Sequence, residues 1–193
     1  MIAHIQGRLV EKTPTYVVID CGGVGYQIFI SLTTYSQIGQ EENCKLLTHL
    51  TIRDDAHLLY GFKEESERAL FRLLITVSGV GSSTALMILS SLSPEETRHA
   101  ILSNDINALK GVKGIGAKTA QRIVIDLKDK LSKVSLEGNF SLDIDNTLKE
   151  EALSALVMLG FNKTQAEKSI AKILKASPDL TVEEVIKQVL KSI

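Results

Sequence analysis

Glycine flanks a single apolar residue twice in this chain, as Gly79-Val80-Gly81 and as Gly114-Ile115-Gly116, and the two copies stand 35 residues apart. Sliding the sequence by that interval also puts Leu74 on Leu109, Val77 on Val112, Thr84 on Thr119, Ala85 on Ala120 and Ile88 on Ile123. With the glycines, seven of the sixteen positions from 74 to 89 are identical, and Val80 over Ile115 and Leu89 over Val124 are conservative, so the pattern is an internal duplication. Each copy joins two apolar helical patterns through a corner that only glycine can make. The backbone there is free to take positive φ, nothing beyond Cα blocks a close approach, and the apolar residue can plug between the helices. The stretch reads as a tandem helix-hairpin-helix.

Such a corner has a definite chemistry. The second helix of the second copy begins at about Ala117, and its first N–H groups have no partner within the helix. They point outward with the positive end of the helix dipole and make a seat for a phosphate oxygen. Lys118 and Arg122, one turn apart, can reach the same anion or its neighbour. Two hairpins side by side would grip both strands of a duplex across a groove, reading backbone shape and no bases. Gly79, Gly81, Gly114, Gly116, Lys118 and Arg122 are therefore the candidate DNA-binding residues. Two rival readings of the glycines fit poorly. A P-loop needs G-x-x-x-x-G-K-[ST], but Ala117 separates Gly116 from Lys118 and no buried strand runs into the loop. The dinucleotide fingerprint needs a third glycine, where Thr84 and Thr119 stand.

A chain of 193 residues has room for one large or two to three small domains, and 44% hydrophobic content with mean hydropathy +0.11 describes a folded, soluble protein. The net charge of −1 would argue against nucleic acid if charge were evenly spread. It is not: residues 107 to 133 carry seven Lys or Arg against Asp126 and Asp129. No run approaches a membrane span, and Met1 to Arg8 lacks the features of a secretory signal, which predicts a cytoplasmic protein without a membrane partner. Cys21 and Cys44 are too few and too far apart for a metal or redox motif, and His4, His49, His57 and His99 are scattered. No metal and no cofactor is expected.

In chain order, residues 1–63 are strand and turn. Ile2 to Val10, Tyr16 to Ile19, Tyr26 to Ile30, Cys44 to Ile52 and His57 to Phe62 are five short strands, with a helical turn near Thr33 to Ile38. They suit a small closed barrel of the OB type. Its aromatics, Tyr16, Tyr26, Phe29, Tyr35, Tyr60 and Phe62, are too thinly spaced for a single-strand stacking platform and suit core or interface. Asp54 and Asp55 sit at the tip of the last hairpin. Aspartate is good at turns, which is one account of the pair. The other is that two carboxylates projecting among phosphates would repel the backbone and mark where strands cannot go.

Residues 64–132 read as an all-helical middle domain: an amphipathic helix from Glu64, the first hairpin, a helix capped by Ser93 with Pro94 at its first position, then the second copy. From 133 to 147 the periodicity stops, which predicts a flexible linker. Residues 148–193 show three short helices, Leu148 to Leu159, Lys163 to Ala176 and Val182 to Ile193, with Gly160 closing the first and Thr181 capping the last. Ala152 to Phe161 resembles the ubiquitin-associated type of three-helix module. The fold class is thus α+β multidomain: an N-terminal five-stranded OB-type β-barrel, a tandem helix-hairpin-helix domain and a C-terminal three-helix bundle.

The whole chain resembles the RuvA family, the bacterial Holliday-junction-binding subunits of the RuvAB branch-migration machine. The resemblance rests on Gly22 to Tyr26, Asp54 to Phe62, the paired Gly79 to Gly81 and Gly114 to Ala120, and Ala155 to Phe161, in the family's order. It implies a homotetramer with the barrels at its centre, laying an open four-way junction flat on one face. The hairpin glycines would hold phosphates, and Asp54 and Asp55 would be acidic pins beside the crossover. It implies that the tethered bundle binds RuvB, the ring ATPase that pumps the duplex arms, with Leu156, Leu159 and Phe161 as candidate contacts, and that the RuvC resolvase meets the assembled complex. The chain departs from the family where Ser82-Ser83 stands in place of a frequent Pro-Lys, so the first hairpin would hold its phosphate with less charge, through backbone N–H groups and hydroxyls. The expected function is non-catalytic: binding four-way junctions for recombination and DNA repair. Two alternatives remain at the level of sequence, a generic duplex-binding adaptor and a helix-hairpin-helix repair enzyme using Asp126 or Asp129.

Overall fold

The computed structural model describes residues 2–39, 41–137, 144–177 and 180–192. The first strands are β1 (His4–Lys12), β2 (Tyr16–Cys21) and β3 (Val24–Ile30); after α1 (Leu32–Gln37) come β4 (Asn43–Ile52) and β5 (His57–Phe62). They close a barrel in the order β1-β2-β3-β5-β4, antiparallel except for the β3–β5 pair. Alternation sets the inward face: Ile5, Val17, Ile19, Ile28, Ile30, Cys44, Leu46 and Leu59 form one buried cluster. β5 departs from alternation because both of its faces are covered. Gly61 faces inward, where a Cβ would come within 2.5 Å of Ile28 Cγ2, while Tyr60 and Phe62 join the helical core instead.

That second core is built by α2 (Glu65–Leu74), α3 (Ser82–Ser91), α4 (Pro94–Leu102), α5 (Ile106–Lys110) and α6 (Ala117–Glu137). Phe71 of α2 stacks obliquely on Tyr60 and Phe62, with ring centroids 5.2 and 4.9 Å apart. The aromatics of β5 are thus the joint between barrel and helices, not a stacking surface for bases. A buried carboxylate clasps the same joint. Both oxygens of Glu67 on α2 accept hydroxyl hydrogen bonds, one from Ser31 at the cap of α1 and one from Thr34 within it, the latter at 2.6 Å. Arg68 and Arg72 of α2 also donate to the Thr48 carbonyl of β4. These contacts tie the barrel and the helical region together, and residues 1–136 form one compact unit.

Helix ends follow the sequence signals. Ser93 and Glu96 form a reciprocal capping box at α4, with Pro94 inside it. α6, once nucleated, runs to Glu137, and the next helix, α7 (Ile144–Met158), begins before Leu148. The stretch 133–147 is therefore helical at both ends, because extending a formed helix adds one hydrogen bond per residue fixed. The remainder of the expected linker, 138–143, lies outside the described residues.

The second unit, 137–193, packs α7 with α8 (Lys163–Ala176) and α9 (Val182–Ser192) around Ala152, Leu156, Ala166, Ile170, Val185 and Val189. Gly160, at φ +94°, ends α7 as expected, Asn162 caps α8, and Thr181 and Glu184 cap each other at α9. Among the described residues no helix is long and apolar enough to cross a membrane.

Candidate nucleic-acid interface

The duplication is present in three dimensions, with the same backbone hydrogen bonds closing both corners. Val80 N–H donates to Val77 O at 3.0 Å and Ile115 N–H to Val112 O at 3.1 Å; Val77 donates to Leu74 and Val112 to Leu109 at 3.1 and 3.2 Å. Ala85 reaches Gly81 O at 2.9 Å and Ala120 reaches Gly116 O at 3.0 Å, closing the first turn of the second helix in each copy. Val80 and Ile115 are buried plugs between the helices.

The two glycines of each corner differ. Gly79 and Gly114 take φ of +91° and +89°, the left-handed region that a side chain disfavours. Gly81 is extended at φ −83° and ψ 170°, and Gly116 is not left-handed. No protein atom lies within 4 Å of a Cβ built on Gly81 or Gly116. Nothing among the described residues therefore requires glycine there, and a Cβ at either position would stand in open space. Gly81 offers α3 no side-chain cap, so the first-turn amides of that helix remain open.

Charge is divided unequally between the copies. Lys118 and Arg122 are exposed on α6 and have no partner among the described residues. The equivalent positions on α3 hold Ser83, exposed, and Met87, 45% exposed. Lys128 and Lys130, which belong to the basic segment of the sequence, are engaged internally with Asn104 at 3.0 Å and Thr76 at 3.4 Å. Lys110 and Lys113, which sequence reasoning does not single out, are exposed beside the second corner. Asp126 and Asp129 are exposed on α6. Among the described residues no group of three or more His, Cys, Asp or Glu could hold a metal ion.

Ser82 requires a correction. The sequence offers its hydroxyl as a phosphate ligand, but it is buried and lies 3.2 Å from Thr51 Oγ1 on β4. Only Ser83 offers a hydroxyl outward. Asp54 and Asp55 are exposed at the end of the β4–β5 hairpin, whose turn is closed by Arg53 N–H to Ala56 O at 2.8 Å. Both corners and the acidic tip thus lie on one compact unit.

In the C-terminal unit the three candidate partner contacts separate. Leu156 is fully buried in the bundle core and cannot meet a partner directly. Phe161 is partly buried against that core, and Leu159 is 60% exposed. The correction has a periodic cause: positions 152 and 156, one turn apart, face inward, which turns Val157 and Met158 out, while Leu159 stands just past the end of α7 and is exposed there. Met158, 86% exposed, escapes sequence reasoning because an apolar helical stripe reads as core.

Comparison with known proteins accords with this architecture. The RuvA N-terminal domain family matches residues 1–61, the SAM-like helix-hairpin-helix tandem family residues 71–129, and the RuvA C-terminal domain family residues 147–193. A protein of Christiangramia forsetii named Holliday junction branch migration complex subunit RuvA is 56% identical over the full length of both chains. The chain belongs to the RuvA family. Proteins of the same name from Flavobacterium psychrophilum and Chlorobium limicola are 53% and 42% identical, each over the whole of this chain and at least 98% of their own. The RuvA match spans both compact units, so corners, acidic hairpin and exposed α7 end all lie on segments that the family shares.

Proposed function

We propose that this RuvA-family protein binds four-way Holliday junctions as the DNA-binding subunit of a RuvAB branch-migration complex, in DNA recombination and repair. The observation that carries the reading is the pair of open helix corners, repeated with the same hydrogen bonds and borne on one compact unit with an acidic hairpin. Amides of Gly79, Gly81, Gly114 and Gly116 and of the helix turns that follow them seat phosphates, and Lys118 and Arg122 neutralise them. Such contacts position a duplex without reading its bases. Asp54 and Asp55 repel the strands at the crossover and so keep them apart.

Four copies with their barrels at the centre hold the arms open and planar on one face. The C-terminal bundle, 148–193, recruits the RuvB ring ATPase through Leu159 and Met158, with Phe161 shaping the edge of that surface. RuvC meets the assembled complex. The protein works in the cytoplasm and performs no chemistry itself; the ring ATPase supplies the work of strand exchange. Light-scattering mass with and without a four-armed junction tests the assembly. A tetramer, or two, per junction is expected, and one protomer per junction would overturn it. Junction DNA incubated with divalent metal should yield no cleaved product; any product would favour a repair enzyme.

A further inference from the structure

The first hairpin and the acidic hairpin share a hinge point. Thr51 stands on β4 just before the exposed Ile52 and three residues before Asp54. Its Oγ1 lies 3.2 Å from Oγ of Ser82, the first residue of α3 after Gly81. The cross-strand neighbour of Thr51 is Leu58 of β5, which with Ser83, Leu86 and Met87 lines a groove of about 410 Å³ beneath the same part of α3. The far end of α3 is held to α1, the helix between β3 and β4, since Leu32 N–H donates to Ser90 Oγ at 3.1 Å and Thr33 Oγ1 to Leu89 O at 2.7 Å. α3 is therefore a bar fastened at both ends, to β4 at the end that bears the open amide corner and to α1 at the other. The side-chain tethers of α6, Lys128 to Asn104 and Lys130 to Thr76, run instead to loops between helices.

The two hairpins thus divide attachment and charge. The second carries Lys118 and Arg122, whereas the first carries Ser83 and Met87 in their places but is bolted to the root of the acidic hairpin. We propose that the Thr51–Ser82 hydroxyl pair couples phosphate seating at the first hairpin to the placement of the Asp54–Asp55 tip, so that both are positioning residues for strand separation at a crossover. The proposal rests on the junction-binding reading. A phosphate held by the first-turn amides of α3 fixes the Ser82 backbone. Ser82 fixes Thr51, and a paired strand carries that position roughly 10 Å to the carboxylates.

The test uses the full-length protein at saturation on a four-way junction with a fluorescent base analogue at the crossover. Asp54→Asn with Asp55→Asn sets the floor of base opening. Thr51→Val should reduce opening about fivefold, the factor one hydrogen bond commonly supplies. Its junction affinity should stay within about twofold of the parent, as for substitutions outside a contact. Thr51→Ser should restore opening, and Ser82→Ala should lower it as Thr51→Val does, without a further drop in the double variant. Parental opening in Thr51→Val, a hydroxyl in Thr51→Ser that fails to rescue, or effects of the two substitutions that multiply would each overturn the coupling. Should Thr51→Val unfold, the Ser82→Ala and Thr51→Ser arms still decide. A parent protein that binds the junction no better than duplex would overturn the junction reading itself, along with the coupling.

Discussion

Gly114 holds a left-handed backbone and Gly116 does not, so substitution at these neighbours should separate stability from binding. Gly114→Ala is expected to destabilise the fold by about 1–2 kcal/mol, the cost of a Cβ in that region. Gly116→Ser should leave the thermal midpoint unchanged or raise it, since serine caps a helix well. The new hydroxyl would occupy the amides that a phosphate needs, and junction affinity should fall about tenfold. Retained affinity in Gly116→Ser would mean that these amides are not the seat. Lys118→Ala should make the dependence of log affinity on log salt shallower by about one for each phosphate that is no longer neutralised, which a titration at several salt concentrations reads directly. The corners were legible in the sequence because glycine at fixed spacing admits few alternatives. The orientation of Ser82 was not, because its partner Thr51 is 31 residues away and only the packing of α3 on the barrel brings them together.

At the scale of elements, the seat of α2 on the barrel carries a titratable group. Burial holds the Glu67 carboxyl above its ordinary value of 4.5, against the opposing pull of the Ser31 and Thr34 hydroxyls. The folded protein therefore keeps this proton to a higher pH than the unfolded chain does. The contribution to stability is greatest below the ordinary value and falls as pH rises through the interval up to the raised one. Denaturant unfolding of the parent and of Glu67→Gln across that interval should show the parent losing ground to the variant as pH rises; parallel curves would contradict it. At the end of α7, Met158→Asp should abolish RuvB binding while the bundle keeps its thermal midpoint, because Met158 is 86% exposed. Leu156→Ala should instead destabilise the bundle by about 2–5 kcal/mol, as a leucine removed from a core does. Loss of RuvB binding in neither, or an unfolded Met158→Asp, would contradict the assignment. The strands and helices themselves were readable from alternation and caps. The helical ends of the run 133–147, up to Glu137 and from Ile144, were not, because polar composition there hides helix that extends from neighbouring elements.

For the whole molecule, the net charge of −1 conceals an acidic tip, a basic corner and a neutral corner within residues 1–136. Composition averages over that arrangement, so it could not tell a DNA-binding surface from a neutral one. If each protomer of a tetramer neutralises one or two phosphates, affinity should fall with salt at a log–log slope on the order of −4 to −7. Corners placed around a ring would all be satisfied together only by a branched substrate, whereas a linear duplex would engage a subset. Competition of a four-way junction against linear duplex of equal length, at one fixed salt concentration, measures that difference. The junction should win by orders of magnitude; equal affinity would contradict the account and leave a general duplex-binding adaptor in its place.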